Sequence, residues 1–560
     1  MPTVYINDKP VEIGASERLN CIQAAQRAGV EIPHYCWHPA LSVVASCRMC
    51  LVEIGDRKPD GTIAMQPKLF PGCQTPVKDG TVVITNSTKV RDAQKATLEY
   101  LLLNHPLDCP VCDQAGECYL QDYSYKYGRG YSRLQEPKNI KPDKDHIGEQ
   151  ITLFTDRCIM CTRCVRFTRE ISGTGELQVI HRGTHEEIDI FPGEPCNNKL
   201  AGNVVDLCPV GALCSKDFLY KQRVWWLKSK PSVCPGCSTG CSITIDQNDD
   251  VIYRLRPRFN PQAQGHFMCD DGRFGWKYVG SEQRLKSPAA RGEGRLLGST
   301  WEEVLPLLKA ALTDAIRRAP KRFAAVISPW ATVEEAYLLA KWLKAASPEV
   351  TLAMGPVRTE GEDDHYPKTV TGAPPAQVRF TIRAEKAPNR RGVELVLQHF
   401  QGEVLNFETF AGQLRQGQFD GLYLLNADPQ QRFADDFVAA CRKLRLLIVH
   451  DLLESPLSEQ AHFVLAGGAW AEKDGTFVNH NGLAQAIFRT VRGPEDARPD
   501  GRIVWELTGR TGLFRAATVR QEVAGEIPAF APLILGDLGD HGVSLGAASA
   551  VRETPALQPA

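Results

Sequence analysis

The spacing of its cysteines constrains this chain more than any other feature. Cys158, Cys161 and Cys164 stand at every third position, and a remote Cys208 is followed at once by Pro209. Three thiols at that interval wrap one face of a compact metal cluster, and a distant Cys-Pro supplies the last corner of a [4Fe–4S] cubane. Structural zinc sites use two separated pairs of ligands, so the triple speaks against zinc.

Three further groups share this logic. Cys36, Cys47, Cys50 and Cys73 place a Cys-x-x-Cys loop between two outlying thiols, a four-thiolate set of the [2Fe–2S] kind that a zinc ion would also accept. His105, Cys109, Cys112 and Cys118 give three thiols within ten residues and an imidazole four positions ahead of them. An imidazole in place of a thiolate removes one negative charge from a [4Fe–4S] cluster and raises its potential. Cys234, Cys237 and Cys241 with the remote Cys269 form the last set, where Gly236 and Gly240 permit a tight loop. A zinc ribbon could use the same four ligands. Fifteen cysteines and one histidine thus predict one [2Fe–2S] and three [4Fe–4S] clusters. Of the 19 cysteines, Cys21, Cys196, Cys214 and Cys441 are left over and are expected as small buried apolar side chains.

A secreted disulfide scaffold is a short chain, and this one has 560 residues. The opening Met-Pro-Thr-Val-Tyr-Ile reads as a strand, with no basic and apolar leader. No apolar run approaches the roughly eighteen residues of a membrane span. The net charge of −1 provides no surplus for binding nucleic acid or an anionic membrane.

The hydrophobic pattern divides the chain. Val4–Ile6 and Val11–Ile13 flank Asn7-Asp8-Lys9 as a hairpin, and Ser16 is expected to cap a helix that Gly29 closes. A helix is expected over Val90–Leu103 and a short strand over Ile151–Phe154. Residues 125–150 read as a connector. Beyond about residue 285 helix and strand signals alternate. Thr300-x-x-Glu303 and Thr332-x-x-Glu335 are capping boxes, the first ahead of a helix that contains Pro306. Phe323–Ile327 is a strand, and Gly421–Asn426, a helix near Phe433–Leu444 and Leu446–His450 make a β-α-β unit. The last residues, rich in Ala, Gly and Pro, are expected as a loose tail.

No Walker A sequence or His-Glu-x-x-His helix occurs, and Gly173-x-Gly175 is a lone pair. A chain with clusters and no evident substrate site implies one-electron transfer between partners, with no catalytic residue of its own.

At the four donor sets, in their order and spacing over residues 1–280, the sequence resembles the large iron–sulfur subunits of NADH–quinone oxidoreductase, respiratory complex I. Residues 281–560 resemble the molybdopterin-oxidoreductase fold more weakly, through Gly475-Thr476-Phe477-Val478-Asn479 and Gly482. The resemblance implies a multidomain α+β and α/β chain. Its parts would be a β-grasp [2Fe–2S] domain (1–85), a one-His, three-Cys [4Fe–4S] domain (86–125) and a ferredoxin-like [4Fe–4S] domain (145–220). A further [4Fe–4S] domain of the molybdenum-enzyme type (227–283) would precede an α/β domain without molybdopterin (284–515) and the tail (516–560). It implies an FMN- and NADH-binding partner upstream, quinone-site subunits downstream, and a peripheral place on the cytoplasmic side of the membrane in a proton-translocating complex. Electrons would enter at the Cys36 set, pass to the Cys158 set and then to the His105 set, with the Cys234 set off this path. Related hydrogenases and formate dehydrogenases share the N-terminal pattern but need further metal ligands after residue 270, which Cys441 alone does not supply.

Overall fold

The computed structural model describes residues 1–371 and 377–546. Its N-terminal strands Thr3–Ile6 and Lys9–Glu12 pair antiparallel, joined at Asn7 and Asp8, both left-handed with φ of 46° and 68°. That is the turn geometry whose twist matches a hairpin. Val4, Ile6, Val11 and Ile13 point inward and are buried. Strand Thr3–Ile6 also pairs parallel to Thr81–Ile84, and Leu51–Arg57 and Ile63–Pro71 complete a five-stranded sheet. The helix of this domain is Cys21–Arg27, and Asn20, not Ser16, caps it. Asn20 and Gln23 form a complete capping box, in which each side chain accepts from the other's backbone N–H. The Asn20 amide also donates to the Cys73 carbonyl at 2.9 Å. The box thus fixes the helix start beside a donor thiol.

The chain divides into two units. One comprises Met1–Leu227 and described residues of Tyr366–Val378; the other comprises Lys228–His365 and the described chain from Arg379. The first contains the helix Thr88–Leu102 and short helices around the next two donor sets. The residues expected as separate domains over 227–283 and 284–515 fall within the second, apart from Leu227 and the described residues of Tyr366–Val378.

In the second unit, strands 228–233, 242–248 and 251–257 form an antiparallel meander. Behind it in sequence lies a seven-stranded sheet in which five successive strands from one edge inward, Thr351–Met354, Phe323–Ile327, Gly421–Leu425, Leu446–Asp451 and Phe463–Ala466, run parallel. Successive side chains alternate between two cores. Phe323, Ala325, Ile327, Tyr423 and Ile448 join the helices of one face, while Ala324, Val326, Leu424 and Val449 join those of the other. Burial on both faces is why these strands read as unbroken apolar runs. Helix Trp301–Arg318 runs through Pro306, held by its capping box and by buried Trp301, Val304, Leu308, Leu312 and Ile316.

The loose tail expected from residue 516 is overturned over its described part. Helix Ala516–Glu526, a 3₁₀ turn at Pro528–Leu533 and strand Val543–Ser544 are formed there. Val519, Val523, Phe530 and Leu533 are buried against the parallel sheet's helices. Composition hid this helix, whose apolar residues recur at i and i+4. Residues 547–560 of that expectation lie outside the described residues. Among the described residues no helix is long and apolar enough to cross a membrane.

At the end of strand Leu446–Asp451, the Asp451 carboxyl is only 5% exposed. It accepts from Asn426 Nδ2 at 3.0 Å and from Leu452 N at 2.7 Å. Burial, with the Asp500 charge nearby, pushes its pKa up from 3.8 to about 7. A carboxyl with a raised folded pKa binds more protons in the native state, so its contribution is full below the unfolded value and is lost as pH rises toward 7. Asp451→Asn, with the Asn426 amide turned to accept, removes that loss. Denaturant melts near pH 5.5 and near pH 8 should therefore show the variant gaining on the parent at the higher pH; a constant difference would refute this.

Candidate metal centres

The thiols of each predicted set lie on loops close enough for their charges to act on one another. In the first, Cys36, Cys50 and Cys73 are buried and Cys47 is partly so. Cys47 and Cys50 sit just before strand Leu51–Arg57, and Cys73 just after strand Ile63–Pro71. The paired strands carry them together, and Gly72 N donates to Cys50 O at 2.8 Å. The Cys36 sulfur lies within hydrogen-bonding reach of both Cys47 and Cys73, whose thiols hold it below the ordinary thiol range.

In the second set Cys112 and Cys118 are buried and Cys109 is exposed. His105 Nδ1 is buried without a hydrogen-bond partner, and burial pushes the imidazole pKa down to about 4. A neutral imidazole with an orphaned ring nitrogen has the chemistry of a metal ligand. Gly211 leaves room for this set: a Cβ there would lie 2.2 Å from Cys112 Sγ, so no other residue fits without displacing the sulfur.

In the third set, Cys161 and Cys164 are buried, and Cys158 and Cys208 are half-buried. Cys164 lies on helix Arg163–Phe167, and Cys208 ends helix Asn203–Leu207. Burial raises the Cys161 thiol to about 11. The second and third sets are tied together: Arg157 Nε donates to Asp108 Oδ2 at 2.9 Å, and Tyr119 N donates to Pro209 O at 3.1 Å.

In the fourth set, Cys234 and Cys241 close the loop of the first hairpin in the antiparallel meander, Cys234 N donating to Cys241 O at 2.8 Å. Cys269 caps helix Asp270–Phe274. The four thiols line one small cavity with Gly236, Gly272 and Lys386. Gly236 N and Gly272 N point at Cys234 Sγ and Cys269 Sγ at 3.5 and 3.4 Å. A Cβ on Gly272 would stand 2.7 Å from Cys234 Sγ. Amides aimed at ligand sulfurs stabilise negative charge there.

All four loops share a feature that spacing alone does not show. Arg48, Met160, Thr162, Gly116 and Gly240, each between two cysteines of a set, have left-handed backbone, with φ of 59°, 50°, 56°, 93° and 64°. For the three non-glycine residues this is strained. A left-handed residue among right-handed ones curls consecutive groups toward a common centre. Among the described residues no three His, Cys, Asp or Glu side chains gather closely enough to hold a single metal ion. The leftover Cys21, Cys196, Cys214 and Cys441 are buried, as expected.

The motif Gly475–Asn479 supports the fourth loop. Asn479 Nδ2 donates to Thr239 O at 3.0 Å, Gln485 Nε2 to Gly240 O at 2.7 Å, and Trp470 Nε1 to Val233 O at 3.0 Å. Gly482 turns the chain with φ of +80°. The sequence singled out this motif but not what it grips.

Family models match along the chain in the same order. They are a 2Fe-2S iron-sulfur cluster binding domain over 1–88, an NADH-ubiquinone oxidoreductase-G iron-sulfur binding region over 94–133, and the ferredoxin-like domain of NADH-quinone oxidoreductase subunit 3 over 148–214. A molybdopterin oxidoreductase Fe4S4 domain follows over 227–281, and molybdopterin oxidoreductase over 394–510. The chain is 39% identical over 337 residues to the G subunit of the NADH-quinone oxidoreductase of Rickettsia bellii, covering 60% of this chain and 47% of that protein. It is 38% identical over 372 residues to subunit 3 of the Thermus thermophilus enzyme, covering 62% and 46%. It is also 38% identical over 314 residues to the NADH-ubiquinone oxidoreductase 75 kDa subunit of Reclinomonas americana, covering 56% and 44%. The chain thus spans about half the length of these relatives. It carries a 2Fe-2S domain, 4Fe-4S domains and a molybdopterin-oxidoreductase-like fold, and over the matched residues it is similar to the large iron–sulfur subunits of NADH–quinone oxidoreductase.

Proposed function

We propose that this chain is the iron–sulfur electron relay of an NADH–quinone oxidoreductase. In this reading Cys36, Cys47, Cys50 and Cys73 hold a [2Fe–2S] cluster. His105 with Cys109, Cys112 and Cys118 holds a [4Fe–4S] cluster, as do Cys158, Cys161, Cys164 and Cys208, and Cys234, Cys237, Cys241 and Cys269. These groups supply one-electron chemistry when bound. The protein's part is to orient the donors, exclude water and set the charge around them. Partners would be an FMN- and NADH-binding subunit and subunits at a quinone site, in a membrane-bound complex that translocates protons. The chain would sit peripherally on its cytoplasmic face. The domain like molybdopterin oxidoreductase would act as a scaffold without that cofactor.

The observation that carries the reading is the buried, partnerless His105 Nδ1, four residues ahead of Cys109 and on the same stretch as Cys112 and Cys118. Iron, sulfide and zinc content of the anaerobically purified chain, with EPR after reduction, test the proposal. About 14 irons, with one binuclear and three tetranuclear signals, are expected for these ligand sets. Few irons and stoichiometric zinc would leave a zinc scaffold instead.

A further inference from the structure

Two buried guanidiniums lie between the first and third donor sets. Arg163 is 4% exposed and Arg166 is 8% exposed, and the hydrogen bonds they make go to backbone carbonyls. Arg163 donates to Trp37 O at 2.6 Å and to Leu207 O at 3.2 Å, the neighbours of Cys36 and Cys208. One nitrogen of Arg166 donates both to Cys36 O and to Cys161 O, and its other terminal nitrogen reaches Ser42 O at 2.5 Å. Cys36 belongs to the first set and Cys161 to the third, so a single side chain joins a ligand residue of each. The carboxylate of Glu170 accepts from Ser42 N at 2.8 Å and from the Ser42 hydroxyl, and its charge also acts on Arg166. Arg163, Arg166 and Glu170 share one side of a helical segment through their i, i+3 and i+7 spacing, and that side grips the loop from Trp37 to Ser42.

A buried charge is strongly disfavoured unless an opposite charge faces it. The backbone carbonyls satisfy hydrogen bonds but carry no net charge, and each guanidinium retains a buried Nε without a partner. On the relay reading the anionic groups on the two sides would be the cluster-bound thiolates of the donor sets, beside the Glu170 carboxylate.

We infer that Arg163 and Arg166 are positioning residues that tie the first donor set to the third and place one shared positive field over the groups both sets hold. This rests on the relay reading. Net charge and hydrogen bonding set the reduction potentials of thiolate-held clusters, so a cation shared between two sites moves both potentials in the same direction.

The test is a redox titration of the purified full chain, followed by EPR, in the parent, R166Q and R166K, with iron content measured on each. In R166Q both the binuclear signal and one tetranuclear signal should shift to lower potential together at unchanged iron content. A tenfold change in the oxidised-to-reduced ratio at fixed potential, about 59 mV for a one-electron couple, is the expected size. R166K, which keeps the charge, should return both most of the way. If neither midpoint moves, or only one does, the shared field is refuted. Should R166Q fail to hold both clusters, the same titration of R163Q decides, with both midpoints falling or the inference lost. A parent chain without iron would overturn the relay reading itself; clusters present with unmoved midpoints would overturn only this step.

Discussion

Cys161→Ala should abolish one tetranuclear signal and reduce NADH-to-quinone transfer in the assembled complex to background. Cys161 is central to the third set in two ways. It is a buried donor between the left-handed Met160 and Thr162, and its carbonyl accepts from Arg166, which also holds the Cys36 loop. Removing the sulfur therefore leaves three donors on a strained loop that no longer has a centre to wrap. If the third set lies between the first and the second on the electron path, no parallel route replaces it. Cys241→Ala is the contrast: it should remove a different tetranuclear signal while sparing much of the turnover. Both are read by EPR of the reduced complex and by NADH oxidation with a quinone acceptor. Turnover that survives Cys161→Ala would mean the proposed path is wrong.

Lys473→Met should destabilise the second unit by about 3–5 kcal/mol, the usual cost of leaving a buried charge without its partner. The Lys473 ammonium lies 3.0 Å from Glu335 Oε2 and 2.7 Å from Asp500 Oδ2, with all three side chains 1% exposed. The two carboxylates raise the lysine pKa above its ordinary value, and the lysine, against burial, holds the Asp500 carboxyl low. Without the cation, two carboxylates share a dry site, and Glu335, already raised by burial, is the one that must take up a proton. Lys473 also lies between Trp470 and the Gly475–Asn479 motif, the stretch that supports the loop from Cys234 to Cys241. The fourth centre should therefore loosen along with the fold. Denaturant unfolding followed by tryptophan fluorescence measures the stability, and the double variant with Asp500→Asn should recover part of it. A loss below about 1 kcal/mol would place the triad among ion pairs that contribute little.

The candidate donors were legible because the sets are a matter of spacing. Cys158, Cys161 and Cys164 recur at every third position within seven residues, so the set can be picked out locally. The hairpin at Asn7-Asp8, the capping boxes of Thr300 and Thr332 and the unbroken apolar runs of the parallel strands were legible for the same reason, since each interaction closes within a few residues. The cap of the first helix was misread at Ser16 because Asn20 draws its advantage from Cys73, distant in sequence. The tail from residue 516 was misread because its helix is held by burial against a sheet strung from strands far upstream.

The sequence by itself determined which sixteen side chains are the candidate donors and that parallel strands would follow them, because both depend on the periodicity of the chain. Only the tertiary structure decided what surrounds those side chains. Gly211 makes room for Cys112 across about a hundred residues, Arg166 joins Cys36 to the Cys158 loop, and Lys386 comes to line the cavity of the Cys234 set. These residues carry no local signature. Their roles arise when packing brings distant segments within a few ångströms and removes the water that would otherwise screen their charges.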